Sequence, residues 1–295
     1  MIWGPFARAF LWLGERVGGA AYLLGIRRAV ALDGLSRAFP DASSRERQRL
    51  ARAAYRQLGH SLAELILVRR KSDQDLQRLV RFDGWEKYQA ALAKGRGVVC
   101  AIAHFGNFEL LAREVPRRGV TLSVIVRSLD DRFGRWIERD RTHRGARALA
   151  ARGSSQAALL ALRQNQVLAI AIDQNMRPSR GIFVDFFGEK ACTTPAAAVF
   201  ALRSGATLLA AFPVRQPDGT HLVHVRGPFE TTLTGRAAVE ELTQALTRAV
   251  EDEARMHPDH WYWVHRRWKT RPAGGERAED RDAAERVEDS GPTRG

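Results

Sequence analysis

Residues 97–110 read GVVCAIAHFGNFEL, and the reading of this stretch decides the fold. The apolar run Val98 to Ala103 is short, opens on two β-branched residues and stops at His104-Phe105-Gly106-Asn107-Phe108-Glu109, the pattern of a buried strand. Asn107 to Arg118 then reads as a helix, with Asn107 placed as its N-cap. A histidine and a carboxylate five positions apart thus lie where a strand hands over to a helix. In an α/β fold the carboxyl ends of strands open into a crevice, where side chains meet ligands.

Working outward, strand and helix patterns alternate. Val120 to Arg127, Val167 to Ile172, Ala206 to Val214 and His221 to Arg226 read as strands, the last two joined through the turn residues Pro217-Asp218-Gly219. Gly181 to Gly188 (GIFVDFFG) is an aromatic-rich loop or edge strand. Arg45 to Arg70 reads as a long amphipathic helix, with apolar residues at Leu50, Ala54, Leu58, Leu62, Leu65 and Ile66 and cap candidates at Asp41, Ser43 and Ser44. Further helices are expected over Asp73 to Arg81, Trp85 to Lys94, Asp130 to Arg147, Gly153 to Gln164, Pro195 to Leu202 and Gly235 to His257. Alternation of this kind predicts an α/β fold, with a central mixed, mostly parallel sheet flanked by helices.

The chain has 295 residues, enough for a sizeable core, and a formal charge of +14. From about Arg271 the composition turns to Arg, Glu, Asp, Gly and Ala, with seven acids against five arginines. This tail is expected to be disordered. Its charge of −2 leaves +16 on the body, which favours an anionic partner: nucleic acid, a membrane surface or an acidic protein. Phe6 to Ile26 is apolar but interrupted by Arg8, Glu15 and Arg16, and the clean run Val17 to Ile26 is too short to span a bilayer. It reads as an interfacial helix offering Trp3, Phe6, Phe10, Trp12 and Leu13 to the headgroup boundary. The expected organisation is a membrane-associating helix in 1–30, a catalytic domain in 31–270 and a charged tail in 271–295. Cys100 and Cys192 make no disulfide framework, which fits a cytoplasmic setting.

His104 is a candidate general base: an imidazole accepts a hydroxyl proton if a carboxylate, here Glu109, holds its other nitrogen. The spacing alone is equally that of an ordinary ion pair. Between Arg113 and Arg152 there are eleven arginines against five acids, a basic patch suited to phosphate or an anionic surface. Asp173 ends a strand as His104 does, so both are expected at one crevice. Phe105, Phe108, Phe183, Phe186 and Phe187 line an apolar binding site or belong to the core; the sequence leaves both open. His221, His224, His257, His260 and His265 follow no zinc spacing, so no metal is expected. Neither a Gly-rich phosphate loop nor a serine nucleophile elbow is present.

The stretch HFGNFEL resembles the His-x4-Asp/Glu motif of the glycerolipid and lysophospholipid acyltransferase superfamily. Ala38-Phe39-Pro40-Asp41, Ala63-Glu64-Leu65, Asp173-Gln174-Asn175, Val184 to Gly188, Thr194-Pro195 and the closing Trp263-Val264-His265-Arg266-Arg267-Trp268-Lys269 follow in the order seen in the bacterial lipid A biosynthesis (lauroyl/myristoyl) acyltransferase family. The resemblance covers roughly residues 5–270. It implies a glycerolipid acyltransferase-like fold and transfer of a fatty acyl chain from acyl carrier protein or a CoA thioester to a hydroxyl of a lipid A precursor or related glycolipid. In that reading His104 is the base and Glu109 its orienting acid. Backbone N–H groups near Gly106 and Asn107 face the oxyanion. Arg141, with Arg144 as runner-up, holds a phosphate, and Asp173 orients Arg141 or an acceptor group. Asn107 and Gln174 contact substrate. No resident cofactor is implied and no nucleic acid is expected. The setting implied is the cytoplasmic face of the inner membrane, peripheral or singly anchored. A lysophospholipid or other hydroxylated-lipid acyltransferase, or a basic membrane-binding protein without catalysis, are the alternatives.

Overall fold

The computed structural model describes residues 2–126, 135, 136, 139, 141, 142, 145–151 and 153–272. Its helices are α1 (Pro5–Leu23), α2 (Arg28–Ala38), α3 (Ser44–Val68), α4 (Asp73–Leu79), α5 (Trp85–Ala93), α6 (Leu111–Arg117), α7 (Ser155–Arg163), α8 (Ala196–Ser204) and α9 (Gly235–Met256). Its strands are β1 (Val80–Asp83), β2 (Val98–Ile102), β3 (Leu122–Val126), β4 (Ala146–Ala150), β5 (Val167–Ala171), β6 (Ile182–Phe186), β7 (Glu189–Thr193), β8 (Thr207–Arg215) and β9 (His221–Arg226). Seven strands form one sheet in the order β1-β9-β8-β2-β5-β3-β4, and β6 and β7 form a separate hairpin. All neighbours in the large sheet are parallel except β8 and β9, which confirms the α/β, mostly parallel expectation.

The central strand β2 is buried along its whole length, and its side chains alternate between two cores. Val99 and Ala101 face the core completed by α7, α8 and α9, while Val98, Cys100 and Ile102 face that completed by α4, α5 and α6. A strand covered on both faces has no polar side, which is why it reads as a continuous apolar run. Helix α3 starts on a capping box: Ser43 Oγ accepts from Glu46 N at 3.2 Å while Glu46 Oε2 accepts from Ser43 N at 2.7 Å.

Four expectations need correction. The helix expected to Arg81 stops at Leu79, because Val80–Asp83 pairs in parallel with β9, a partner 141 residues away that no local pattern reports. The helix expected from Asp130 to Arg147 gives way at Ala146 to the edge strand β4, paired with β3; most of 127–144 lies outside the described residues. The segment after Asn107 begins as a 3₁₀ turn, Phe108–Leu110, before α6. Trp3 is buried among Lys71 and core neighbours rather than free for a membrane, whereas Phe6, Trp12 and Leu13 are exposed. Helix α2 and strand β7 fall where no element was expected. The charged tail from Ala273 lies outside the described residues. Among the described residues no helix is long and apolar enough to cross a membrane.

Helix α1 packs on α3 at glycine-to-glycine distance. A Cβ at Gly59 would stand 2.1 Å from Gly14 O, and one at Gly18 would stand 2.0 Å from Tyr55 O. The opposite end of α3 is tied to the sheet by Glu64, fully buried, whose carboxylate accepts from Arg215 Nη1 and Nη2 at 2.9 Å each and lies 2.9 Å from His221 Nε2. Burial by itself would favour the neutral acid. His221 and Arg215 outweigh it and hold Glu64 ionised, below the usual carboxylate range. We expect Glu64→Ala to lower folding stability by about 3–5 kcal/mol in urea titrations, since it leaves Arg215 buried without its counter-charge. Gly59→Ala is expected to cost about 1–3 kcal/mol by forcing α1 off α3; an unchanged denaturation midpoint in either variant would refute the packing described.

Candidate active site

Parallel register builds the site. Ile102 of β2 is level with Ala171 of β5, so His104 and Asp173, each two residues further on, emerge side by side at the carboxyl end of the sheet. Asp173 Oδ1 accepts from His104 Nδ1 at 2.9 Å. Its Oδ2 accepts from the backbone N–H of His104 and from Trp261 Nε1, both at 3.0 Å. Asp173 is buried, while a quarter of the His104 side chain remains exposed. Burial alone would raise the Asp173 pKa and lower that of His104. The facing charges and hydrogen bonds reverse both, holding Asp173 ionised below its usual range and lifting the imidazole above its own, with Glu109 adding to the lift and Arg141 opposing it. With Nδ1–H directed at the carboxylate, Nε2 is the nitrogen left to take a proton. Gln174 Nε2 lies 3.3 Å from it.

The pairing differs from the expected one. Glu109 sits in the 3₁₀ turn beyond β2 and takes Arg141 through both oxygens, one bond to Nε at 2.8 Å and the other to Nη2. Asp173, expected to orient Arg141, holds His104 instead. The exchange follows from strand register: neighbouring parallel strands set Asp173 at the level of His104, whereas Glu109 is a turn further along. Glu109 therefore acts on His104 through its field, without a hydrogen bond. Arg144 lies outside the described residues.

Two clefts meet at this point. One is apolar, lined by Cys100, Ile102, Leu111, Val124 and Ala169, with Glu109 and Arg141 as its charged members near Phe108. The other runs between α3 and the C-terminal segment and is lined by His104, Gln57, Ser61, Asp259 and Tyr262. Phe108 lines both clefts and packs edge-on to His104, ring centres 5.0 Å apart. Of the other phenylalanines, Phe105, Phe186 and Phe187 are buried in the core, and Phe183 is half-buried on β6.

Gly106 and Asn107 are otherwise engaged than expected. The Gly106 N–H donates to His260 O at 2.8 Å, so it faces no oxyanion. Gly106 has a positive φ of 53° and lies so close to β8 that a Cβ would stand 2.0 Å from Pro213 O. Asn107 occupies the N-cap position without capping, because its buried side chain donates to Glu64 Oε2 at 2.7 Å. The Glu64 cluster thus anchors the His104 loop from below through the Asn107 amide.

The C-terminal segment holds the loop from above. Tyr262 N donates to His104 O at 3.1 Å, and Phe105 and Trp261 form a β-bridge. Trp261 is fixed in an aromatic stack, 5.3 Å from Phe186 and 4.5 Å from Trp263. Phe187 serves this stack at a cost: it stands at φ 54° in the two-residue turn between β6 and β7, and its ring lies 5.8 Å from that of Phe39. Arg267 is buried beneath, donating to Cys192 O at 2.9 Å and to Thr193 Oγ1, and burial brings its pKa down to about 10, still charged at neutral pH. His265 is pushed down to about 4 by burial, with Arg267 and His104 adding to it, and its Nε2 accepts from Asn175 N at 2.8 Å.

Sequence reasoning missed Trp261 as an Asp173 ligand, and missed Arg215 and His221 as partners of Glu64. The available signals were a tryptophan among the closing aromatics and charged residues inside apolar strands. His224, Glu253 and His257 bring possible metal-ligand atoms within 4.8 Å of one another, but Glu253 already accepts from Arg226 Nε at 2.7 Å and pairs with His224.

The chain is 29% identical over 265 residues to a lipid A biosynthesis lauroyltransferase of Escherichia coli (strain K12), an alignment covering 89% of this chain and 86% of that protein. It is 26% identical over 266 residues to a lipid A biosynthesis palmitoleoyltransferase of the same organism, with the same coverage. A phosphatidylinositol mannoside acyltransferase of Mycobacterium tuberculosis (strain CDC 1551 / Oshkosh) is 27% identical over 205 residues, 68% of this chain and 62% of that protein. The model of the bacterial lipid A biosynthesis acyltransferases matches residues 6–270, nearly the whole described body, so the chain belongs to that family and is an acyltransferase.

Proposed function

We propose that the chain moves a fatty acyl group from a thioester of acyl carrier protein or CoA to a hydroxyl of a lipid A precursor or related glycolipid, with His104 as general base. One observation carries the reading: His104, its Nδ1 held by a buried carboxylate, stands where an apolar cleft and a second, partly polar cleft meet at Phe108. An acyl chain and an acceptor then approach the same imidazole from the two sides of that ring. The names of the relatives support a lipid A or glycolipid acceptor.

In the proposed steps the acceptor hydroxyl gives its proton to His104 Nε2 as its oxygen attacks the thioester carbonyl. The new C–O bond forms, the C–S bond breaks, and the imidazolium passes its proton to the departing thiolate. Asp173 stabilises the imidazolium and fixes the tautomer, so no covalent acyl-enzyme and no resident cofactor are needed. Glu109 biases His104 electrostatically and holds Arg141 in the lining of the apolar cleft, where a guanidinium fork suits a substrate phosphate.

The exposed faces of α1 and α3 support a peripheral position on the cytoplasmic face of the inner membrane. Phe6, Trp12, Leu13 and Val17 project from α1, and Leu62 and Ile66 from α3. A basic protein carrying an apolar helix face is suited to the boundary of an anionic bilayer, and the same charge suits an acidic carrier protein.

With labelled acyl-acyl carrier protein and a lipid A precursor, His104→Ala and Asp173→Asn are each expected to lower kcat by about 10²–10⁴-fold. In Asp173→Asn the amide donates toward Nδ1 and shifts the ring proton to Nε2. Because the base must be neutral, kcat/KM should fall on acidification with a midpoint above the usual imidazole value of about 6.5. Glu109→Gln removes a negative charge that raises the His104 pKa, so its acid limb should move to lower pH. Full transfer by His104→Ala would overturn the assignment. Separately, the double variant Trp12→Ser, Leu13→Ser should sediment at least tenfold less well with anionic phospholipid vesicles, roughly the effect of removing apolar side chains from an interface. Undiminished sedimentation would remove the membrane role of this face.

A further inference from the structure

The turn after β5 gives His104 two neighbours of opposite effect. Asp173 prepares the imidazole as a base by taking Nδ1. Gln174, the next residue, places its side-chain amide 3.3 Å from Nε2, the nitrogen that has to receive the proton. With Nδ1–H given to the carboxylate, Nε2 carries a lone pair, and the Gln174 N–H is directed at it. The contact is built in. Asn175 is bonded to Thr270 in both directions at 3.0 Å, its N–H is held by His265 Nε2 at 2.8 Å, and Gln174 lies between this anchor and buried Asp173.

We propose that Gln174 keeps His104 from activating water: its amide occupies the proton-accepting lone pair between turnovers and yields it when the acceptor lipid enters the cleft. The proposal rests on the thioester-dependent transfer described above. A thioester held beside an open base is exposed to hydrolysis. Water would give a proton to Nε2, its oxygen would bond to the acyl carbon, the C–S bond would break, and the proton would pass to the thiolate, releasing free fatty acid and thiol. A 3.3 Å amide contact to a neutral ring lies at the weak end of hydrogen bonding. A lipid acceptor buries apolar surface in the cleft and so drives the amide aside, whereas a water molecule brings only its hydrogen bonds. Gln174 is thus a specificity-positioning residue: it acts through His104 and favours a large acceptor over a small one.

The test measures free fatty acid and acylated lipid together, using the full chain in detergent with labelled acyl-acyl carrier protein, with and without a lipid A precursor. Gln174→Met keeps the length of the side chain and removes the donor. Its ratio of hydrolysis to transfer should rise about tenfold, the factor that a neutral hydrogen bond carries, and the added hydrolysis should vanish in the double variant with His104→Ala. Gln174→Glu sets a carboxylate beside Nε2, favours the imidazolium, and should move the acid limb of transfer to higher pH, which checks that position 174 stands against that nitrogen in solution. If Gln174→Met fails to fold, as judged by its thermal melt, the same ratio of hydrolysis to transfer in Gln174→Leu, which also lacks the donor, decides. An unchanged or lower ratio in folded Gln174→Met, or an unmoved acid limb in Gln174→Glu, overturns the inference while wild-type transfer stands. A wild type that acylates no lipid overturns the functional reading, and this inference with it.

Discussion

Everything at the carboxyl edge of the sheet depends on the three hydrogen bonds that Asp173 accepts. Two come from the side chain and backbone of His104, and one from Trp261. A buried carboxylate is expensive unless its oxygens are satisfied, and here the donors that satisfy it are the loop carrying the base and the segment closing over it. The requirement to solvate one charge therefore fixes the imidazole tautomer and the seat of the C-terminal segment together. Remove that charge and the loop, the ring and the tryptophan lose a common anchor.

A second buried carboxylate, Glu64, does similar work from the opposite side. It joins α3 to β8 and β9 through Arg215 and His221, and it draws in the Asn107 amide. The loop 104–107 is thus gripped between two ionised groups, one contacting the side chain that performs chemistry and the other contacting its scaffold. Interiors of low polarity make such contacts strong and their half-satisfied versions costly, a reason for this turn to be rigid where Phe108 and His104 must stay in register with two clefts.

The aromatic stack beneath the site shows how far this chain goes to keep Trp261 in place. Phe187 accepts a left-handed backbone in a tight turn so that its ring can pack against Phe39 and Trp263. Arg267 is buried with its guanidinium 5.3 Å from the Phe186 ring and its donors turned to Cys192 and Thr193. The hairpin of β6 and β7, α2 and the closing segment come from remote parts of the chain, and they meet under Trp261, the donor to Asp173 that comes from the C-terminal segment.

The sequence by itself determined the local matters. Apolar periodicity marked β2, β5, β8, β9, α3 and α9, since burial leaves a periodic trace in residue type. The abrupt end of β2 at His104, and the end of β5 at Asp173, placed both residues at one crevice. The motifs pointed to an acyltransferase before any contact was visible. Tertiary structure decided the partners. Spacing suggested Glu109 as the acid on His104, yet strand register gave that place to Asp173 and left Glu109 to Arg141. Edge strand β1 was hidden because its partner β9 lies 141 residues away, and β4 because Ala146–Ala150 (ARALA) is made of good helix formers with no β-branched residue. Trp261, Arg215 and His221 gained their roles only where chain segments 88 to 157 residues apart converge. Periodicity records which side of an element is buried; it carries no record of what lies across the gap.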